Sequence, residues 1–127
     1  MALVLVVEDE FGIAELLDIV LTDEGHRVRT AKNGKEGLDL LAQERPDLVL
    51  CDYMMPVMDG AAMLGAIATN PTLRGIPVVM MSSMSELAVA ERCAGYVTFM
   101  HKPFRLPELL DVVGRVLGGG DGLAPCC

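Results

Sequence analysis

The amino-acid sequence predicts one α/β domain, built on a parallel β-sheet with helices packed on both faces. Strand-like and helix-like segments alternate five times along the 127 residues. Three of the predicted strands are continuous apolar runs, which is typical of strands buried on both faces of a parallel sheet. Apolar residues form 52% of the chain and aromatic residues only 4%, so aliphatic side chains and methionine must fill the core. The length fits a single domain.

In chain order, the predicted strands cover residues 2–7, 26–31, 48–51, 76–81 and 97–100, and the predicted helices cover 10–23, 34–44, 60–69, 86–93 and 106–117. The first strand is the apolar run ALVLVV. Apolar residues then recur at helical spacing, at Ile13, Leu16, Leu17, Val20 and Leu21. Gly25 ends this first helix, because glycine readily adopts the backbone conformation that follows a helix. The second strand, HRVRTA, mixes polar and apolar residues and is expected to be half exposed.

Helix-capping and helix-breaking residues set the limits of the later helices and strands. Asn33 is expected to cap the second helix, since its side-chain oxygen can accept a hydrogen bond from a free N–H group of the first turn. Pro46 ends that helix and precedes LVLC, a third strand that is wholly apolar. IPVVMM and VTFM form the fourth and fifth strands, and the last helix ends at Leu117. The glycine-rich sequence that follows predicts a domain over residues 1–117 and a flexible tail over 118–127.

Charge and composition exclude several classes of function. The chain has 10 basic and 18 acidic residues and a net charge of −8, which argues against direct nucleic-acid binding because phosphates require basic partners. No segment approaches the roughly 18–20 apolar residues of a membrane span, and the first residues lack the basic start of a signal peptide. The four cysteines give no disulfide framework. A cytoplasmic protein without membrane insertion is therefore expected.

Polar residues follow four of the five predicted strands at the point where each strand ends. They are Glu8, Asp9 and Glu10 after the first strand, Asp52 after the third, Ser82 and Ser83 after the fourth, and Lys102 after the fifth. The carboxyl ends of parallel strands meet at one edge of the sheet, and ligands bind in the crevice beyond that edge. We therefore expect acids, a hydroxyl group and an ammonium group to converge there.

Each of these residues also has a purely structural explanation. The acid cluster could stabilise the start of the first helix, and Asp52 could be a turn residue. The serine pair could start the fourth helix, and Lys102 could be a solvated surface lysine. The combined pattern at four strand ends favours a functional crevice over four separate structural roles.

The sequence resembles the receiver domain of two-component response regulators over residues 3–117. The resemblance is carried by LVVEDE, PDLVLCDYMMPVMDG, IPVVMMSS and HKPF, in that order. It implies a flavodoxin-like sheet with strand order 2-1-3-4-5. It also implies a phosphorylation-dependent signalling switch that receives its phosphoryl group from a sensor histidine kinase or a histidine phosphotransfer protein. The downstream protein target is unknown.

The resemblance assigns a role to each residue at the predicted edge. Asp52 matches the phospho-acceptor, Lys102 the phosphate-binding lysine and Ser82 the switch hydroxyl. Phe99 matches the switch aromatic residue, and Pro103 matches a proline whose preceding peptide bond is cis.

The same resemblance implies a magnesium site. Asp9 would bind Mg²⁺ directly, and Glu8 would bind it through a water molecule because its side chain is longer than the aspartate usual there. Asp52 and the backbone carbonyl of Met54 complete the implied set. The residue types fit this role, because two carboxylates 4 Å apart repel by about 4 kcal/mol at an effective dielectric near 20. Hard oxygen ligands of this kind suit Mg²⁺.

Several alternatives remain open from the sequence. The chain could be a stand-alone regulator or a receiver module from a larger regulator or hybrid kinase. An interaction module that works without phosphorylation typically lacks the acceptor or the lysine, and this chain has both Asp52 and Lys102. A phosphohydrolase with an aspartate nucleophile usually has a second aspartate two positions later, where this chain has Met54. The expected chemistry is therefore self-catalysed phosphoryl transfer and hydrolysis at Asp52, without turnover of an external substrate.

Overall fold

Strands and helices alternate throughout the computed structural model, which describes residues 2–118. The elements are β1 (Leu3–Val7), α1 (Phe11–Asp23), β2 (Arg27–Ala31), α2 (Gly34–Gln43), β3 (Leu48–Asp52), α3 (Gly60–Thr69), β4 (Val78–Ser82), α4 (Glu86–Ala90), β5 (Thr98–His101) and α5 (Leu106–Leu117). The five strands form one sheet of order β2-β1-β3-β4-β5, and all neighbours are parallel. The predicted fold class and strand order are confirmed. Apart from Gly118, the predicted tail lies outside the described residues.

Two cores lie on opposite faces of the sheet. Successive side chains of a strand point to opposite faces, so β1 places Val4 on one side and Leu5 on the other. The Val4 side packs against α1 and α5, and the Leu5 side packs against α2, α3 and α4. Every residue of β1, β3 and β4 is buried. This two-sided burial explains why their sequences are apolar up to the strand ends.

The element boundaries differ from the predictions at functionally relevant places. β3 and β4 each run one residue further than expected, so Asp52 and Ser82 are the last residues of their strands. Helix α4 is shorter than expected and ends at Ala90, before Cys93. Cys93 is buried in the core and Gly95 has a φ of 102°, so the chain turns inward instead of continuing the helix. The predicted cap of α2 is confirmed, because the Asn33 side chain accepts a hydrogen bond from the N–H of Glu36.

None of the helices in the described part of the chain is long and apolar enough to cross a membrane. The longest of them, α1, has 13 residues and several acidic side chains.

The loop after β3 returns to the strand end at Gly60. The Gly60 N–H donates a hydrogen bond to the carbonyl oxygen of Tyr53 at 2.8 Å. A Cβ atom at Gly60 would lie 2.7 Å from the Asp52 carbonyl oxygen and 2.9 Å from the Met80 sulfur atom. The preceding Asp59 caps α3 through the N–H of Ala62. The Asp-Gly pair therefore holds the first turn of α3 against the end of β3, directly beneath Asp52.

We predict that Gly60→Ala lowers the free energy of unfolding by about 1–3 kcal/mol, because the added methyl group overlaps backbone atoms that cannot move freely. Gly65→Ala is the matched control in the same helix, since no atom lies within 4 Å of its would-be Cβ. This control should gain about 0.5–1 kcal/mol from helix propensity. Urea denaturation of both variants tests the prediction. A gain in stability for both would show that α3 can move away from β3 without cost.

Candidate functional site

Three carboxylates converge at the carboxyl edge of the sheet. Glu8 directly follows β1 and Asp52 ends β3, and both are buried at 2% and 6% exposure. Asp9 is exposed beside them. Oxygen atoms from these three carboxylates lie within 4.8 Å of one another. The structure therefore brings together the acids that the sequence placed on two different strands.

Lys102 brings a positive charge into this acid cluster from the end of β5. Its Nζ atom donates hydrogen bonds to Oε1 of Glu8 at 2.9 Å and to Oδ2 of Asp52 at 3.2 Å. The Lys102 side chain is only 18% exposed. A lysine held in this way is not a solvated surface residue, because burying an ammonium group requires anionic or polar partners.

The pKa values of the cluster reflect competition between burial and charge. Burial raises the pKa of Glu8 to about 7, aided by the charge of Asp52 and opposed mainly by the hydrogen bond from Lys102. Burial alone lowers the pKa of Lys102, but the hydrogen bond to Glu8 and the charge of Asp52 outweigh it, so that pKa is raised. Lys102 therefore stays charged at neutral pH. Its single positive charge does not balance the three acids.

The donor atoms at this edge fit a hard divalent cation. The group formed by Glu8, Asp9 and Asp52 offers one carboxylate oxygen from each residue within a small volume. Mg²⁺ prefers such oxygen ligands and keeps several waters, which the exposure of Asp9 allows. The predicted contribution of the Met54 carbonyl stays a prediction. Met54 itself lies at the mouth of the crevice, and its side chain is exposed.

Ser82 and Phe99 occupy neighbouring strands on the same face of the sheet. Ser82 is buried, and its Oγ atom accepts a hydrogen bond from the N–H of Met84 at 3.0 Å. Met80 lies two residues before Ser82 and is paired in register with Phe99. Because side chains two residues apart on a strand share a face, Ser82 and Phe99 do too. The half-buried Phe99 ring lies 6.2 Å from the ring of Tyr96, measured between centroids.

The edge residues do not supply side-chain N-caps for α1 or α4, although Oε2 of Glu8 accepts a hydrogen bond from the N–H of Glu10 at 3.3 Å. The N-cap of α1 is Glu10, and its side chain makes no capping hydrogen bond. The N-cap of α4 is Ser85, whose Oγ atom accepts from the N–H of Ala88, so neither Ser82 nor Ser83 starts that helix. Helix capping therefore does not by itself explain why the acid cluster and the serine pair lie at this edge. The peptide bond before Pro103 is cis, as the sequence predicted.

Two depressions adjoin the acid cluster. The first, of 470 Å³, is lined by Asp9, Tyr53, Met54, Met55, Pro56, Asp59, Met84 and Arg92. The second is an apolar groove of 420 Å³ between α1 and the start of α5, lined by Ile13, Leu16, Leu17, Ser83, Lys102, Pro103, Phe104 and Leu106. Lys102 lines the apolar groove and also donates hydrogen bonds to Glu8 and Asp52 in the acid cluster.

Sequence reasoning missed the surface around the groove. Helical spacing grouped Leu16 with the apolar residues of the first helix, but Leu16 is 45% exposed, and Phe11 and Ile19 are 76% and 60% exposed. Periodicity identifies apolar helix positions without showing which of them the sheet covers. An Arg92 on the crevice wall was also unexpected, because its place depends on the turn that ends α4 early.

Comparisons with known proteins agree on one family. The profile of the response regulator receiver domain matches residues 4–114. Sporulation initiation phosphotransferase F of Bacillus subtilis is 36% identical over 116 residues, which cover 90% of this chain and 92% of that protein. The response regulator MprA of Mycolicibacterium vanbaalenii is 36% identical over 84% of this chain and 46% of its own length. The chain thus spans nearly all of one relative and less than half of the other.

Solved structures of similar proteins have the same fold. The chemotaxis protein CheY4 of Vibrio cholerae superposes with a TM-score of 0.86 at 30% identity, covering 91% of this chain and 98% of that one. The receiver domain of the sensor histidine kinase PA1611 of Pseudomonas aeruginosa has a TM-score of 0.86 at 26% identity, over 93% and 98% of the two chains. That structure contains a magnesium ion in its active-site cleft.

The raised pKa of Glu8 predicts how stability depends on pH in buffer without divalent cations. The folded state binds this proton more tightly than the unfolded chain, whose ordinary value is 4.5. Stability should therefore fall as the pH rises from about 4.5 to 7, by at most about 1.4 kcal/mol per pH unit. Glu8→Gln should remove this part of the slope, measured by urea denaturation with a chelator at several pH values. Glu15→Gln on the exposed side of α1 should keep the parental slope, and a Glu8→Gln protein that also kept it would contradict the assignment.

Proposed function

The chain belongs to the response regulator receiver domain family, and from this premise we propose that Asp52 accepts a phosphoryl group from a histidine kinase or a histidine phosphotransfer protein. A receiver domain of two-component signalling works as a phosphorylation-dependent switch. The observation that carries the assignment to this residue is the pairing of a buried Asp52 carboxylate with Lys102 at 3.2 Å, inside a cluster of two further acids.

The proposed reaction uses the chain's own groups at defined atoms. One Asp52 oxygen attacks the phosphorus of a phosphohistidine, the P–N bond breaks, and an acyl phosphate forms on Asp52. Lys102 already lies against Oδ2 of Asp52, so its ammonium group is placed to pair with an oxygen of the incoming phosphoryl group. Mg²⁺ held by Glu8, Asp9, Asp52 and the Met54 carbonyl would supply the remaining charge neutralisation.

The geometry favours a stoichiometric switch over an enzyme that turns over external substrates. Met54 stands two positions after Asp52, so no second acid is available there to protonate a leaving group. The reactions we propose are limited to transfer onto Asp52 and loss of that phosphate by hydrolysis or return transfer. Retention of Asp52 and Lys102 in one ion pair also disfavours a role that is independent of phosphorylation.

The proposed switch connects Ser82 to Phe99. A phosphoryl group on Asp52 gives the O–H of Ser82 an acceptor, and movement toward it would break the hydrogen bond that Ser82 Oγ now accepts from the N–H of Met84. Movement of Ser82 toward the phosphate leaves space on the sheet face that Phe99 shares. Rotation of Phe99 into that space would change the surface of α4, β5 and α5, a two-state device of a known kind. Exposed Leu87 and Val97 would then contact the downstream protein.

The donor protein is proposed to dock on the α1 patch, defined as Phe11, Leu16 and Ile19 with the adjoining apolar groove. Clustered exposed apolar side chains mark protein interaction sites. The groove is bordered by Lys102, so a helix seated there brings its phosphohistidine to the Asp52 crevice. We therefore propose a helical histidine-bearing protein as the occupant.

The proposed unit of function is residues 1–117, which include the whole family match. Its phosphodonors act in the cytosol, so we propose that the domain works there. The shared unit occurs in the relatives both as nearly the entire protein and as one part of a longer regulator.

Asp52→Asn is predicted to abolish phosphorylation by acetyl phosphate with Mg²⁺, because the amide cannot act as the nucleophile. Intact-mass measurement detects the added phosphoryl group in the parent. Asp59→Asn is the matched control, since Asp59 also lies at the crevice wall but serves to cap α3. Phosphate uptake by Asp52→Asn at the parental level would refute the acceptor assignment.

Ser82→Ala is predicted to accept phosphate at Asp52 but to transmit the change poorly, because it lacks the hydroxyl that must move. NMR shifts of α4 and β5 amides before and after phosphorylation measure transmission. We expect the phosphorylation-induced shifts to shrink several-fold in this variant. Loss of phosphorylation as complete as in Asp52→Asn would show that Ser82 takes part in the transfer itself.

Leu16→Glu is predicted to slow transfer from a phosphorylated histidine phosphotransfer protein by about tenfold or more, because a charge enters the apolar docking surface. Acetyl phosphate needs no docking surface and should label this variant at the parental rate. Leu87→Glu places the same charge on exposed α4 and should leave both rates unchanged. Equal slowing by Leu16→Glu and Leu87→Glu would remove α1 as the donor surface.

A further inference from the structure

The methionines of this chain differ sharply in exposure. The sequence has nine methionines, of which Met1 lies outside the described residues. The side chains of Met63, Met80, Met81 and Met100 are almost fully buried, and those of Met55, Met58 and Met84 are partly covered. Met54 is 61% exposed, the largest exposure among the methionines that the structure describes. It stands two residues after Asp52, on the wall of the crevice.

We propose that Met54 is a site of reversible oxidation that shortens the lifetime of the phosphorylated protein. The proposal rests on phosphorylation of Asp52 as set out above. A peroxide supplies the oxygen: its O–O bond breaks, one oxygen binds the Met54 sulfur, and the other leaves as water. The sulfur loses the two electrons that the peroxide gains. Methionine sulfoxide reductase reverses the step.

Selectivity for Met54 follows from access. Oxidation of methionine depends on contact between the sulfur and a dissolved oxidant, and the four core methionines offer none. The buried thiols near the site are also poor targets. Burial raises the pKa of Cys51 and of Cys93, so both remain protonated, and the thiolate is the form that reacts.

The effect on lifetime follows from the polarity of the crevice wall. Met54 and Met84 line the cavity that borders Asp9 and Tyr53, the residue next to Asp52. Water approaching a phosphoryl group on Asp52 from this side passes both thioethers. A thioether is a weak hydrogen-bond acceptor and tends to exclude water, whereas a sulfoxide oxygen is polar and accepts readily. Oxidised Met54 can therefore hold a water molecule beside the phosphate.

The test compares parent protein and Met54→Leu before and after hydrogen peroxide treatment, with catalase used to stop the reaction. Peptide mass mapping locates the added oxygen, including any on Cys126 and Cys127. Each sample is then phosphorylated with acetyl phosphate and Mg²⁺, freed of donor, and followed as the phosphate is lost. The readout is the ratio of decay rates, oxidised over untreated, within each variant. This ratio cancels any change in basal decay caused by the leucine.

We expect oxygen chiefly on Met54 and a parental ratio of about two to ten, the range given by one added hydrogen bond of about 0.5–1.5 kcal/mol. Met54→Leu should give a ratio near one, Met84→Leu should keep the parental ratio, and reductase treatment should restore slow decay. Among the methionines, oxygen found mainly on a residue other than Met54 overturns the site. If oxygen is found on Met54 but phosphate is lost at an unchanged rate, the proposed effect of oxidation on the lifetime of the phosphorylated protein is wrong. Failure of the untreated parent to take up phosphate overturns the proposed function instead, and the effect of oxidation with it.

Discussion

The ion pair that Lys102 makes with Glu8 and Asp52 is the interaction on which the architecture of the crevice depends. It joins the ends of β1, β3 and β5, although β4 lies between β3 and β5 in the sheet. The Lys102 side chain must therefore cross the end of β4. That strand ends in Ser82, a small residue whose carbonyl oxygen accepts from the Lys102 N–H at 2.8 Å. A large side chain in place of Ser82 would obstruct this crossing, so the ion pair restricts the residue at this position independently of the proposed switch.

The crevice concentrates negative charge, and the rest of the fold must hold it in place. Burying two carboxylates beside one ammonium group costs desolvation free energy. The attraction between the ammonium group and the carboxylates offsets this cost only in part. The raised pKa of Glu8 expresses this imbalance. Gly60 supports the site from below, since its missing side chain lets α3 begin against the carbonyl of Asp52. The Val57 backbone, at a φ of 68°, adds local strain in the loop that links the two. The surrounding apolar packing keeps both features in place.

Much of the fold and of the site geometry could be predicted from sequence because parallel sheets impose strong rules. Apolar runs predict β1, β3 and β4. Because parallel strands end at a common edge, the sequence also predicts that Glu8, Asp52 and Lys102 lie close together. The end of α4 could not be predicted, because the inward turn at Cys93 depends on packing against α3 and the sheet. The exposure of Leu16 was equally hidden, since helical spacing says nothing about how far the sheet covers α1. The roles of the site residues stay predictions of chemistry that the geometry supports.

In the proposed phosphoryl transfer, the negative charge of the chain opposes the approach of the phosphoryl group, whereas apolar contacts favour docking of the donor protein. The arrangement around Lys102 fits both effects. A phosphoryl group is anionic, and the chain carries a net charge of −8 with three acids in the crevice. The net charge of the chain therefore does not favour the approach of an anionic phosphoryl group to Asp52. The proposed α1 docking patch would contribute binding that is independent of charge, and Lys102 lines the groove beside it. In the proposed transfer, apolar docking would place the phosphohistidine within reach of Asp52, where Lys102 and a bound cation would be the dominant local charges. This proposed division would give specificity to the α1 surface and reactivity to the acid cluster, so that each could change without loss of the other.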